Sequence, residues 1–349
     1  MARQSKNFYQ YLCTKALAVL SPRQKEVIIR RFGLKGKEKE TLEKIGRDFG
    51  ITRERVRQLQ NSALSKAAQA IESLGASFSQ LTSQWVEFLK VKGGVMRKDD
   101  FVKTMAGFEG NIPRVNFILA LQKSIVSIDG TGDIYPAVAV DKKYWEEAYK
   151  VISWFQDFLS SEGSTFSDRE IYKVYQEKLE GKNSKEVFFT WLSLAKNIKR
   201  GVLGDWGLLS WPEVKPRGLR DLAYLVYRKE AKPLHFTEVA RLINVYGLRP
   251  GKKALPQSVH NDLIRDPRFV LVGRGIYALR EWGYEDGTVR DVIIRILEEA
   301  GMPLPASEIV RRVLEVRQVK EATVLMNLQN RNYFTRTEGG LYMLKPKVA

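Results

Sequence analysis

Cysteine is almost missing from this 349-residue sequence. Cys13 stands alone, so no internal disulfide forms, and with only His235 and His260 beside it the chain cannot assemble one Cys/His zinc site. Cys13 therefore reads as a buried structural thiol rather than a nucleophile. No uncharged apolar run reaches the ~18 residues of a membrane span, and no basic-then-apolar leader opens the chain. A cytoplasmic protein without membrane contact is expected. Walker loops, paired-carboxylate motifs and metal-ligand sets are missing too. Neither histidine belongs to a Cys, Ser or His pairing, so both read as packed or capping residues. The G-x-G at Gly273–Gly275 lies inside a hairpin pattern rather than between a strand and a helix, which predicts a turn. Neither an enzyme nor a cofactor is expected.

Positive charge is what the sequence has in excess. The net charge is +18, from 58 Lys and Arg against 40 Asp and Glu. Residues 1–70 hold 16 basic and 6 acidic side chains, and residues 215–284 hold 14 and 6. By contrast, residues 71–149 carry 9 and 10, residues 150–214 carry 9 and 9, and residues 285–349 carry 10 and 9. A merely basic composition would spread the excess, whereas two basic modules look like two electrostatic footprints for a polyanion, most simply nucleic acid. With 44% hydrophobic and 28% charged residues, the chain has the make-up of a globular protein long enough for several domains.

In the first module, Ser21-Pro22 marks a helix start, and the helix ends at Gly33. Thr41 opens a second helix with Leu42, Ile45 and Phe49 facing inward, and Gly50 stops it. Thr52 opens a third, along which Val56, Leu59, Ala63 and Ala67 recur at helical spacing. Helix, glycine turn and Thr-capped helix predict a helix-turn-helix. Opposite Val56 and Leu59 lie Arg53, Glu54, Arg57 and Gln58, at offsets 0, +1, +4 and +5. In the major groove Arg pairs with guanine, Gln with adenine, and Glu accepts from cytosine. The competing reading is a solvated charged face with internal ion pairs.

The stretches "LSPRQKEVIIRRFGL", "TLEKIGRDFG" and "ITRERVRQLQNSALSKA" closely resemble the fourth conserved region of primary bacterial sigma factors, over roughly residues 17–70. The resemblance implies double-stranded, −35-like promoter DNA and the β flap of bacterial RNA polymerase as partners. It gives Arg53, Glu54, Arg57 and Gln58 as base contacts, with Arg55 and Thr41 at phosphates. Departures are Gln24, where the family usually has Glu, and Gln60, Asn61, Ser62 and Ser65, which replace a more charged run. The sigma regions that open DNA precede this one, and only about 20 residues do so here, so a complete sigma factor is not expected.

The rest repeats with a period of about 70 residues. A turn and a short aromatic strand recur at 130–138, 204–211, 273–279 and 338–344. Before the last two, "RDLAYLVYRKEAKPLHFTEVARLI" parallels "RDVIIRILEEAGMPLPASEIVRRV", with second helices opened by Thr237 and Ser307, followed by a third helix and a hairpin. Three helices and a terminal hairpin predict a winged helix. The third copy, through "PLHFTEVARLI" and "HNDLIRDPRFVLVGRGIYALREWGY", resembles the HARE-type helix-turn-helix, a winged-helix family that includes the N-terminal domain of the RNA polymerase delta subunit. Its basic residues cluster at Arg249, Lys252 and Lys253 before the third helix and at Arg268 and Arg274 by the hairpin, with Gln257, Asn261 and Arg265 on the helix itself. The neutral first and second copies read as spacers or protein-facing modules. Trp145, Trp154, Trp191, Trp206, Trp211 and Trp282 are expected to fill small cores.

The expected fold is mainly α with short β-hairpins, an N-terminal helix-turn-helix domain (1–71) followed by about four tandem winged-helix domains at 85–140, 145–212, 216–282 and 287–346. Residues 72–84 and 212–218 are the expected linkers. The expected function is that of an accessory transcription protein, cytoplasmic and nucleoid-associated, that binds DNA, RNA polymerase or both. The rival is an RNA polymerase-associated interaction subunit without sequence-specific DNA binding.

Overall fold

The computed structural model describes residues 6–36, 38–284 and 286–345; residues 1–5 and 346, which fall within the expected domains, lie outside it. The chain is mainly helical, with small antiparallel sheets. It forms two compact units, residues 1–209 and 210–349.

The first unit opens with α1 (Lys6–Ala18), α2 (Pro22–Phe32), α3 (Leu42–Phe49) and α4 (Arg53–Glu72). Local chemistry sets their ends. Ser21 Oγ accepts from the Gln24 amide while Gln24 Oε1 accepts from the Ser21 amide, and Pro22 sits where its missing N–H is no loss. Thr41 and Thr52 cap α3 and α4 by accepting from the amides of Lys44 and Arg55, each at 3.2 Å. Gly50, at φ 64°, takes the left-handed turn between them. Val27, Ile45 and Val56 form a small core under this pair, flanked by Leu42, Phe49, Ile51 and Leu59.

The other faces of α1, α2 and α4 enter a larger core shared with α5 (Ala76–Val91), α6 (Lys98–Ala106) and α7 (Ile112–Leu121). The strands β1 (Val95–Arg97), β2 (Val126–Ile128) and β3 (Ala137–Ala139) complete this part, in the antiparallel order β1-β3-β2. Residues 72–84 are not a linker. Helix α4 runs to Glu72 and α5 starts at Ala76, burying Phe78, Leu81 and Trp85. That apolar spacing of three and four is helical, and the surrounding Ser and Gln disguised it.

Next come α8 (Lys142–Glu162), α9 (Asp168–Lys178), α10 (Lys185–Leu192), β4 (Ile198–Arg200) and β5 (Trp206–Leu208). Phe166 pairs with Trp206 as a third, one-residue strand. The joint with the preceding elements is close. Trp191 Nε1 donates to the Gly93 carbonyl at 3.0 Å, and a Cβ on Gly93 would lie 2.3 Å from Val187. The β2–β3 connection also docks here, with the Tyr135 amide donating to Leu194 O (2.9 Å) and the Lys196 amide to Asp133 O (2.7 Å).

The second unit contains α11 (Leu219–Glu230), β6 (Leu234–His235), α12 (Phe236–Val245), α13 (Pro256–Arg265), β7 (Phe269–Gly273) and β8 (Ile276–Leu279), with sheet order β6-β8-β7. It continues through α14 (Val289–Ala300), α15 (Ala306–Val316), α16 (Glu321–Leu328) and the hairpin β9 (Phe334–Arg336) and β10 (Tyr342–Leu344), where Leu304 bridges to Tyr342. Thr237 and Ser307 do not cap their helices. They lie one residue inside, and His235 and Pro305 hold the cap positions. The His235 ring accepts from the Thr237 amide, while His260 packs against Phe236 with ring centroids 4.5 Å apart. The outer edge of β7 is covered from α15's end: the Gln318 amide donates to Val272 O (3.0 Å) and Arg317 Nη1 to Leu271 O (2.7 Å). Of the six expected core tryptophans, Trp191 and Trp206 are buried and the others half-buried.

Candidate nucleic-acid interface

On α4, buried Val56 turns one side of the helix inward, and Arg53, Glu54, Arg55, Arg57 and Gln58 are all exposed. Most are paired with each other. Arg57 donates twice to the Glu54 carboxylate, at 2.8 and 2.7 Å, and Arg55 donates to Gln58 Oε1 at 3.0 Å. The Arg57 guanidinium holds the Glu54 carboxyl below the usual carboxylate range. Groups that read bases are thus pre-ordered by i,i+3 contacts and have only weak, exposed partners to leave. Thr41, at the start of α3, is exposed as well.

Gly46 escaped the sequence reading, although a glycine inside an apolar-periodic helix is itself a signal of close approach. A Cβ there would lie 2.7 Å from the Ile51 carbonyl oxygen. This contact lets the turn fold back on α3 and sets the angle at which α4 leaves it.

In the second unit, Lys252 and Lys253 lie exposed in the loop before α13, and Arg274 at the tip of the β7–β8 turn. Gln257, Asn261 and Arg265 line one exposed face of α13, while Val259 and Leu263 face the core. Arg249 donates to Lys253 O at 3.3 Å and shapes that loop. Arg268 is different. It binds Asp266 at 2.7 Å and Asp221 at 2.8 Å and stacks on Tyr224 at 4.9 Å, which leaves it an internal tie rather than a phosphate contact.

The corresponding third helices elsewhere are not free in this way. Helix α7 buries Val115, Phe117, Ile118, Leu119 and Leu121, partly against α1, α2 and α4. Helix α10 buries Val187, Phe188, Trp191 and Leu192 and holds Gly93. Helix α16 exposes Glu321, Leu325 and Met326, a face without positive charge.

Comparisons with known proteins agree with this geometry. The α1–α4 segment is a helix-turn-helix, and residues 16–66 match the sigma-70 region 4 family. Residues 218–282 match the HARE-HTH family, a helix-turn-helix domain described as that of ASXL and restriction endonuclease proteins. The N-terminal segment is 49% identical over 61 residues to the RNA polymerase sigma factor RpoS of Coxiella burnetii, covering 18% of this chain and 17% of that protein. It is 45% identical over 62 residues to the sigma factor SigA of Nostoc sp., covering 18% and 16%. The chain thus spans under a fifth of the length of these relatives. Among the described residues no helix is long and apolar enough to cross a membrane.

Proposed function

We propose that this chain is an accessory transcription protein of the nucleoid that reads −35-like promoter DNA through α4 and holds further duplex through α13, Lys252, Lys253 and Arg274. One observation carries the reading: the side chains suited to base edges all lie exposed on the side of α4 opposite Val56, within two turns of its Thr52 cap. We take the four successive sets of three helices and a small sheet as winged helices. The first two serve as spacers, since α7 and α10 are turned inward.

The expected test result is that Arg57→Ala with Gln58→Ala loses ~1–3 kcal/mol of discrimination per broken bidentate contact while the fold persists. Binding to −35-like and scrambled duplexes, compared at one salt concentration, measures it. Full retention of the preference would mean that α4 does not read bases.

The second reading, attachment to the β flap of RNA polymerase through residues 1–70, meets an opposing observation. Ile28, Ile29 and Leu34, in the "EVIIRRFGL" segment assigned to that grip, belong to one core with Phe117, Ile118 and Leu121 of α7, and the Phe32 and Phe117 rings lie 5.2 Å apart. A flap held by apolar contacts has to compete with α7. Co-purification of RNA polymerase that is weak with the full chain and strong with a chain ending after residue 73 supports such competition; equal capture argues that polar residues suffice.

A further inference from the structure

Three cations meet at one aromatic ring in the part of the chain whose charge sums to zero. Arg97 stacks on Tyr135 at 3.9 Å, Lys199 lies 4.6 Å from the ring centre and Lys196 5.7 Å. They come from separate elements. Arg97 ends β1, Tyr135 lies in the β2–β3 connection, Lys196 follows α10 and Lys199 is in β4. The backbone pairs at Tyr135–Leu194 and Lys196–Asp133 bring them together, and Lys199 Nζ is anchored on Ala195 O at 3.0 Å.

Attraction to the ring does not explain the whole group, because a ring has two negative faces and three cations gather here against their mutual repulsion. Among the described residues the one carboxylate paired to any of them is Asp100, 3.6 Å from Arg97 Nε and beyond hydrogen-bonding reach. That Nε is buried without a hydrogen-bond partner. The four side chains are half-buried, neither sealed in a core nor loose in solvent. A stacked guanidinium with two anchored ammonium groups suits an anion that offers several oxygens.

The geometry points to a third DNA contact: Arg97, Lys196 and Lys199, grouped around Tyr135, bind the phosphate backbone of duplex DNA. The site takes no part in base reading and exists only where the β2–β3 connection docks on the end of α10. It rests on the reading of the chain as a DNA-binding protein but not on α4 as the reader of sequence.

The test uses the full chain and a scrambled duplex, with affinity measured across a range of salt concentrations. Lys196→Met with Lys199→Met keeps the aliphatic stems over Tyr135 and removes both charges. It should lower the slope of log affinity against log salt by about 2, since each lost phosphate contact removes ~0.9. Lys173→Met with Lys178→Met, on the exposed face of α9, makes the same charge change elsewhere and should leave the slope nearly as it was. An unchanged slope in the Lys196 and Lys199 variant, or an equal fall in both variants, overturns the site while leaving α4 as reader untouched. Loss of −35 preference in the Arg57 and Gln58 variant with the slope effect intact supports both proposals, and a chain that binds no duplex overturns both. If the Lys196 and Lys199 variant keeps its slope but no longer captures RNA polymerase, the cluster is a protein contact and the DNA assignment is wrong.

Discussion

Gln24 Nε2 donates to Ser62 Oγ across 3.1 Å and ties α2 to α4. Both residues are departures from the sigma pattern, and the structure shows them to be one departure: a neutral pair stands where a carboxylate and a more charged run are usual. Gln24 is buried and also accepts from the Ser21 amide. In a double-mutant cycle, Gln24→Glu and Ser62→Lys should therefore couple favourably by about 0.5–1 kcal/mol, because each new charge has its partner only when both are present. Thermal or urea unfolding of the four chains measures this. Additive effects would show that the two positions vary independently.

Gly46→Ala should destabilise the helix-turn-helix. In an exposed helix the change would favour folding by up to ~1 kcal/mol. Here the added carbon would meet the Ile51 carbonyl oxygen at 2.7 Å, so overpacking of about 1–3 kcal/mol should win. A raised urea midpoint would show that the turn gives way easily.

Removing Lys252, Lys253 and Arg274 together by Ala substitution should flatten the salt dependence of DNA binding by roughly 2–3 units if all three touch phosphates. Arg268→Ala should leave that slope alone and lower stability by about 2–3 kcal/mol, below the ~3–5 kcal/mol of a fully buried pair because Arg268 is partly open to solvent. The contrast between the two variants, read from salt titrations and unfolding curves, separates cations available to DNA from one committed to the fold. A loss of slope in Arg268→Ala would reverse that assignment.

Arg30 is nearly buried and bonds both Glu40 and Asp48, tying the α2–α3 loop to the end of α3. Its hydrogen bonds hold both carboxyls below their usual range. Groups with lowered folded values stabilise the fold at pH above their unfolded values of about 4, and that stabilisation is lost as pH falls through the folded values. The stability gap between the native chain and Arg30→Met should therefore be widest near neutral pH and close progressively below about pH 4. A gap unchanged down to acid pH would mean that Arg30 acts through packing alone.

The ends of α2, α3 and α4 are legible in the sequence because capping is local. Ser21, Gly33, Thr41, Gly50 and Thr52 act on amides and dihedrals within a few residues. The exposed stripe on α4 is legible for the same reason, since helical period alone places Arg53, Glu54, Arg57 and Gln58 opposite Val56. Residues 72–84 show where composition misleads: a Ser- and Gln-rich stretch folds as a helix because Phe78, Leu81 and Trp85 find a core built by α1, α4 and α7.

Which third helix stays open was not legible. The elements of residues 76–139 and 142–208 follow the same order as those of residues 219–279, yet α7 and α10 are buried by neighbours while α13 is not. Burial depends on what packs against a face, and no short stretch encodes its distant partner. Arg268 and Lys252 look alike as basic residues, and only the placement of Asp221 and Asp266 separates them. The cations around Tyr135 are likewise invisible in a charge count, because Arg97 and Lys199 stand about a hundred residues apart and electrostatic potential follows distance in space rather than along the chain.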